Sequence, residues 1–363
     1  MSDHPFDARP SGEQRKGAFY GLLAASTFGI SAPIAKRLLG EVSPTVLAGL
    51  LYLGAGIGLT AFRVLRRSRT ESPLTKADLP MLSAVIAAGG IVGPLLMLLG
   101  LERTSAVTGS LLLNLEAPLT IAMAVLVFRE HLERRAAGGI ALVLTGAVIL
   151  RIEVGGQTTS GAGMLLLAGA CAAWALDNNL TQRLSLRDPI ALVQTKTLGA
   201  GAFNLAIGLV VANGRLPAFP VLLAAMALGS VSYGASVVLD TYALRLVGAA
   251  REAAFFATAP FFGAVAATFI VGERLTWTDG LAMIVMAGGA WLLLRERHSH
   301  EHVHEEIEHA HVHTHDEHHR HPHDADAPPG EPHAHRHKHA RLVHDHPHAS
   351  DLHHRHRHAR SDE

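Results

Sequence analysis

A small set of ionisable and amide side chains interrupts stretches otherwise built from Leu, Ala, Val and Gly: Glu116, Asp177 with Asn178 and Asn179, Lys196, Asp240 and the adjacent Arg251 and Glu252. A charge at the centre of a bilayer costs roughly 2.5–3.5 kcal/mol on insertion scales, so each such group asks for a partner or an aqueous cavity. Glu116 stands directly before Ala117 and Pro118. Pro118 withdraws a backbone donor and frees a carbonyl one turn back, which loosens a helix there. A carboxylate beside such a turn can bind a substrate amine or take up a proton; the alternative is a structural hydrogen bond to a neighbouring helix, or an ion pair with Lys196. Lys196, flanked by Gln194, Thr195 and Thr197, either marks a wet face or runs its stem toward the inner surface. Trp174, one turn before Asp177 and Asn178, is a cavity wall or an interfacial anchor. Asp240, with Tyr233 two turns earlier, is a second candidate for touching substrate. Arg251 and Glu252 read as a pair at the headgroups, and Glu130 and Glu273 as turn residues beside Arg129 and Arg274.

A second kind of chemistry gathers at the C-terminal end. Of 25 histidines, 23 lie in residues 298–363. Many alternate with other residues: His298, His300, His302 and His304; His309, His311, His313 and His315; His333, His335, His337 and His339; His344, His346 and His348. Neutral imidazole suits late transition metals, so the tail is expected to bind Zn, Ni, Co or Cu ions. No cofactor is expected for the rest of the chain. With His neutral the tail carries −6 and residues 1–297 carry +6, and protonation near the ordinary histidine value of about 6.5 would turn the tail positive. Pro-Pro-Gly at 328–330 and the lack of apolar periodicity predict a disordered segment. The competing reading is a low-complexity extension without a role.

Composition excludes several classes. Charged residues make up 17% and hydrophobic residues 49% of the 363 positions, against about 25% charged in ordinary soluble domains. Cys171 is the single cysteine, which rules out a disulfide-built domain. There is no glycine-rich phosphate loop, nucleophile elbow or HExxH motif, so the chain reads as neither an enzyme nor an ATP-driven pump. No nucleic-acid partner is expected, and the oligomeric state is open.

These residues need helices in lipid to position them. A crossing takes about 20 mostly apolar residues. Ten stretches approach that length: 17–35, 44–62, 80–101, 104–128, 136–150, 161–180, 189–212, 217–243, 249–272 and 277–294. Their continuous apolar character argues against a lipid-facing barrel, whose strands alternate. The fold class is therefore an all-α membrane protein with ten transmembrane helices and a disordered C-terminal tail. The first stretch runs unbroken to Ala35 and reads as an uncleaved span. With a cytoplasmic N-terminus, 17 Lys and Arg fall on the inner side and 6 on the outer. That bias places both termini in the cytoplasm, in the cytoplasmic (inner) membrane.

The chain also resembles itself. Gly17…Phe28-Gly29…Arg37-Leu38 recurs as Gly163…Trp174-Ala175…Arg183-Leu184. Arg103…Glu116-Ala117-Pro118 recurs as Arg245…Thr258-Ala259-Pro260, and Glu130 in Arg129-Glu130-His131-Leu132 as Glu273 in Gly272-Glu273-Arg274-Leu275. Five helices per copy make the second copy inverted relative to the first, the arrangement of many secondary transporters. The predicted organisation is a cytoplasmic N-terminus (1–16), a first five-helix repeat (17–151), a linker (152–160), a second repeat (161–297) and the His-rich tail (298–363).

The segment Leu101-Glu102-Arg103-Thr104-Ser105-Ala106…Leu112-Leu113-Asn114-Leu115-Glu116-Ala117-Pro118 resembles the EamA domain of the drug/metabolite transporter superfamily. The second copy, Arg245…Ala259-Pro260…Val271-Gly272-Glu273-Arg274-Leu275, followed by Gly280 and Gly288-Gly289, is similar. The resemblance covers about 17–295. It implies a permease of two inverted five-helix repeats, often an exporter of amino acids, other metabolites or drugs. It also implies a central cavity lined mainly by the third, fourth, eighth and ninth helices, with parts of the first and sixth. Arg129 stands where the second copy has Gly272, a departure that ties the two turns down differently. The expected function is alternating-access transport of a small metabolite or drug-like solute. The alternatives are divalent-metal (Ni, Co, Zn) efflux fed by the tail, and a membrane-anchored metal buffer or sensor.

Overall fold

The structure, a computed structural model, describes residues 12–66, 72–128, 134–151, 160–184, 187–247, 249–294, 298–304, 307–313, 333–339 and 342–348. Arg129, Glu130, His131 and His315 lie outside the described residues, as do residues 1–11 and 152–159. Helix fills all ten apolar intervals. The first half comprises α1 (Gly12–Gly29), α2 (Ser31–Leu38), α3 (Pro44–Arg66), α4 (Leu79–Val85), α5 (Gly93–Glu102), α6 (Ala106–Leu112), α7 (Glu116–Phe128) and α8 (Arg134–Ile149). The second comprises α9 (Gly161–Thr181), α10 (Pro189–Val211), α11 (Phe219–Gly229), α12 (Ser236–Val247), α13 (Ala249–Phe256), α14 (Ala259–Ile270) and α15 (Trp277–Leu294). Among the described residues six helical runs are long and apolar enough to cross a membrane, and Trp277–Leu293 is a shorter apolar one.

Local sequence starts several of these helices. The Ser105 hydroxyl accepts from Thr108 N at 3.0 Å ahead of α6. Asp188 Oδ1 accepts from the Ile190 and Ala191 amides at 2.9 and 3.0 Å ahead of α10, with Pro189 in the first turn. Thr276 and Asp279 bond each other reciprocally at the start of α15. Each satisfies amides that a helix end leaves without an internal partner.

Five of the apolar runs are interrupted: Ile30 parts α1 from α2, and the other four interruptions come in repeat-related pairs. A π-helical turn, Ile86–Val92, joins α4 to α5, and another, Ser230–Ala235, joins α11 to α12; their starts are 144 residues apart. A 3₁₀ turn, Leu113–Leu115, separates α6 from α7, and residues 257–258 separate α13 from α14. Pro118 and Pro260 sit in the first turns of α7 and α14, where a missing amide costs no internal bond. The loosening expected at Pro118 is thus a break in the helix just before Glu116.

The bundle is assembled largely by contacts between the halves: α3 with α10 and α11, α1 with α12 and α14, α5 with α9, α6 with α14, and α8 with α15. Gly139 on α8 and Gly289 on α15 show why glycine is abundant. A methyl at either would come within 3 Å of the other's carbonyl oxygen, 2.9 and 2.8 Å respectively. Close backbone approach of this kind drives helix association in lipid, where apolar burial contributes little.

One end of the bundle is stitched shut. Lys36 Nζ donates to the carbonyls of Leu101 and, at 2.8 Å, Thr104. Arg37 Nη1 donates to Ile270 O at 3.1 Å. The Glu273 carboxylate accepts from the Ala106 and Val107 amides at 2.7 and 2.9 Å, so a turn residue of the second half caps a helix of the first.

In the described part of the tail, β1 (His298–His304) pairs antiparallel with β4 (Leu342–His348), and β2 (Ile307–His313) with β3 (His333–His339). The ladders set histidine opposite histidine, as at His300 and His346 or His311 and His335. Strand pairing satisfies backbone groups mutually and so needs no apolar core.

Candidate translocation site

The π-helical turn in the third span releases backbone carbonyls from the regular ladder, and side chains of three other helices take them up. Gly89 O accepts from the Tyr52 hydroxyl on α3 at 2.9 Å and from Trp174 Nε1 on α9 at 3.1 Å. Gly90 O accepts from Asn204 Nδ2 on α10 at 3.0 Å. A side chain at position 89 would run into the Asp177 carboxylate. Gly89→Ala is therefore expected to displace Asp177 and lower the unfolding midpoint in detergent, with a fall in solute flux. Wild-type values for both would contradict this geometry.

Asp177 is the anchor of the charged part. Its Oδ2 forms an ion pair with Lys196 Nζ, the two side chains being 5% and 15% exposed, and its Oδ1 accepts from Thr181 Oγ1 at 3.2 Å. Glu116, in the first turn of α7, accepts from Asn178 Nδ2 at 2.8 Å through Oε1. Asn179 Nδ2 reaches Thr120 O at 3.1 Å and ties α9 to α7. Glu116 is half-buried and Asn178 exposed, deep within helices whose neighbouring residues are largely buried. A carboxylate in the middle of the fourth apolar run is thus left partly open.

Aromatic rings continue the site toward the second half. Tyr52 lies 5.7 Å from Tyr233, Tyr233 lies 5.6 Å from Phe28, and Phe28 lies 5.2 Å from Phe256. Tyr233 belongs to the second π-helical turn, and its hydroxyl is 3.4 Å from Ser31 Oγ. Phe28, Tyr233 and Phe256 are half-buried, whereas Tyr52 is enclosed. Asp240 stands apart from this group. Its Oδ1 is buried without a hydrogen-bond partner among the described residues.

Several sequence expectations change here. Trp174 is not an interfacial anchor: its ring is buried and its N–H is committed to Gly89. Lys196 neither runs to the surface nor pairs with Glu116, because Asp177, on the helix facing it, supplies the nearer carboxylate. The Arg251 side chain, and with it the expected Arg251–Glu252 pair, lies outside the described residues. Glu116, Trp174, Asp177, Asn178 and Lys196 come together, Tyr233 joins them through Tyr52, and Asp240 and Pro260 do not. Tyr52, Gly89, Asn204 and Phe28 escaped the sequence reading. Tyr52 and Asn204 had a signal, since each interrupts an apolar run; Gly89 looked like any other glycine. Among the described residues, no three His, Cys, Asp or Glu are grouped to hold a metal ion.

Ionisable and amide groups paired with one another among helices long and apolar enough to cross a bilayer mark a multi-pass membrane protein. The chain belongs to the EamA-like transporter family, whose profile matches it twice, over residues 15–152 and 161–295. An "Uncharacterized transporter" of Methanothermobacter thermautotrophicus is 30% identical over 289 residues, covering 75% of this chain and 84% of the relative. A "Probable amino-acid metabolite efflux pump" of Salmonella typhimurium is 26% identical over 265 residues, covering 72% and 80%. A solved structure titled "Crystal structure of protein" shares the fold, with a TM-score of 0.57 at 19% identity, covering 79% of this chain and 99% of that one.

Proposed function

We propose that this chain is a secondary permease that exports a small metabolite or drug-like solute by alternating access, its ten helices forming two inverted five-helix repeats with both termini in the cytoplasm. The observation that carries the reading is the partly open Glu116–Asn178 pair beside the Asp177–Lys196 ion pair, at the junction of the two matched halves. The relative named as an amino-acid metabolite efflux pump supports the outward direction. A carboxylate cannot hold a proton and an ammonium group at once, so Glu116 offers a means of exchanging one for the other. In proteoliposomes an imposed pH gradient should drive solute flux, and Glu116→Gln, which cannot ionise, should abolish the pH-driven part. Unchanged flux would remove Glu116 from the coupling.

The His-rich tail supports a second role, capture or buffering of Ni, Co, Zn or Cu ions, on the strength of its histidine density alone. Removing residues 298–363 separates the readings. Metal resistance lost with the tail would favour divalent-metal efflux, whereas solute resistance indifferent to it would favour the permease. Metal binding with no resistance phenotype would leave a membrane-anchored buffer or sensor.

A further inference from the structure

The charges and rings around Glu116 are not neutral as to what they admit. A chamber for amino acids needs a cation for the carboxylate and an anion for the ammonium. Lys196 is the basic group in the cluster, and Asp177 neutralises it directly, with both side chains largely shut off from water. Its ammonium is therefore already spent on a protein carboxylate, and displacing that carboxylate would leave Asp177 buried without its counter-ion. Glu116, by contrast, is hydrogen-bonded by a neutral amide, Asn178, and is half-buried rather than enclosed. Taken with all three groups charged, Glu116, Asp177 and Lys196 sum to −1, and the surplus sits on the accessible member.

The rings have a matching bias. Phe28 and Tyr233 meet edge-on at 77°, and Phe28 and Phe256 are tilted at 42°, so parts of their faces and edges are turned away from one another. All three are half-buried. Ring faces carry negative electrostatic potential and attract cations, most strongly where water is thin. Tyr52, 5.7 Å from Tyr233 and bonded to the same Gly89 carbonyl as Trp174, links this wall to the helix turn bearing Asn178.

We infer that the site selects organic cations, amines or ammonium compounds with an aromatic or apolar body. Glu116 is their counter-ion, Phe28, Tyr233 and Phe256 form the wall, and Lys196 is withheld from substrate by Asp177. The inference rests on the permease reading and narrows its substrate class. Three probes of one shape and different charge test it: phenethylamine as cation, phenylalanine as zwitterion and 3-phenylpropionate as anion. Binding to the full chain in detergent would be measured by calorimetry, and exchange in proteoliposomes by counterflow without a pH gradient.

Phenethylamine is expected to bind and exchange at least tenfold better than either of the others. Glu116→Gln should remove that preference while leaving the unfolding midpoint in place. Phe28→Leu should weaken phenethylamine binding about fivefold, the size of an ordinary cation–π contribution, without creating affinity for the anion. Equal or better handling of phenylalanine or 3-phenylpropionate by the wild type would overturn the selectivity and leave the permease reading standing. Failure of all three to bind or exchange, when a panel of other solutes is also refused, would overturn both. If Glu116→Gln does not fold, a wild-type ranking with the cation last still decides against the inference.

Discussion

Asp177→Ala should be among the most destabilising single changes in this protein, by about 3–5 kcal/mol, because it leaves the Lys196 ammonium buried without its counter-ion. Lys196→Ala should cost a similar amount through the abandoned Asp177 carboxylate. The pair removed together, as Asp177→Leu with Lys196→Met, is expected to recover most of the loss, since apolar residues of similar volume often replace a buried ion pair at little cost. Equilibrium unfolding of the four proteins in mixed micelles gives the cycle. A double variant as unstable as the sum of the singles would mean that the pair is not a mutual neutralisation, and the argument that Lys196 is withheld from substrate would fail with it. The direct bond makes additivity unexpected in any case.

Glu273→Ala is the second large effect. Ala106 and Val107 are fully buried, and their amides donate to the two oxygens of one carboxylate reaching across from the other half. Hydrogen bonds to charged groups are worth about 1.5–3 kcal/mol each, and a buried donor left unmade costs as much again as its own desolvation. The alanine variant should therefore lose stability by about 3 kcal/mol, measured by chemical unfolding, and glutamine, with one acceptor oxygen, should restore about half. Ser105 still serves the Thr108 amide, so α6 is expected to keep its start rather than unravel. A loss below about 0.5 kcal/mol, the level of ordinary surface substitutions, would show that water replaces the carboxylate freely.

Much of the helical architecture was legible because lipid imposes simple arithmetic: long apolar runs must be helices. The ten intervals followed from that rule, and Glu116, Asp177, Asn178 and Lys196 stood out because intramembrane charge is rare enough to be noticed. Partnership did not follow. Lys196 had three carboxylates to choose from, and sequence spacing cannot rank distances between helices far apart in the chain.

Sequence by itself determined the helices, their number of apolar intervals, the duplicated halves and the polar residues that had to be explained, because hydropathy and periodicity are local properties. Only the tertiary structure decided that a π-helical turn at Ile86–Val92 hands its carbonyls to Tyr52, Trp174 and Asn204, that Asp177 claims Lys196, and that Glu116 is left with an amide. Those outcomes depend on which faces of five different helical segments meet, and hydrogen bonds of 3 Å between residues as much as 114 positions apart are set by packing, not by order along the chain.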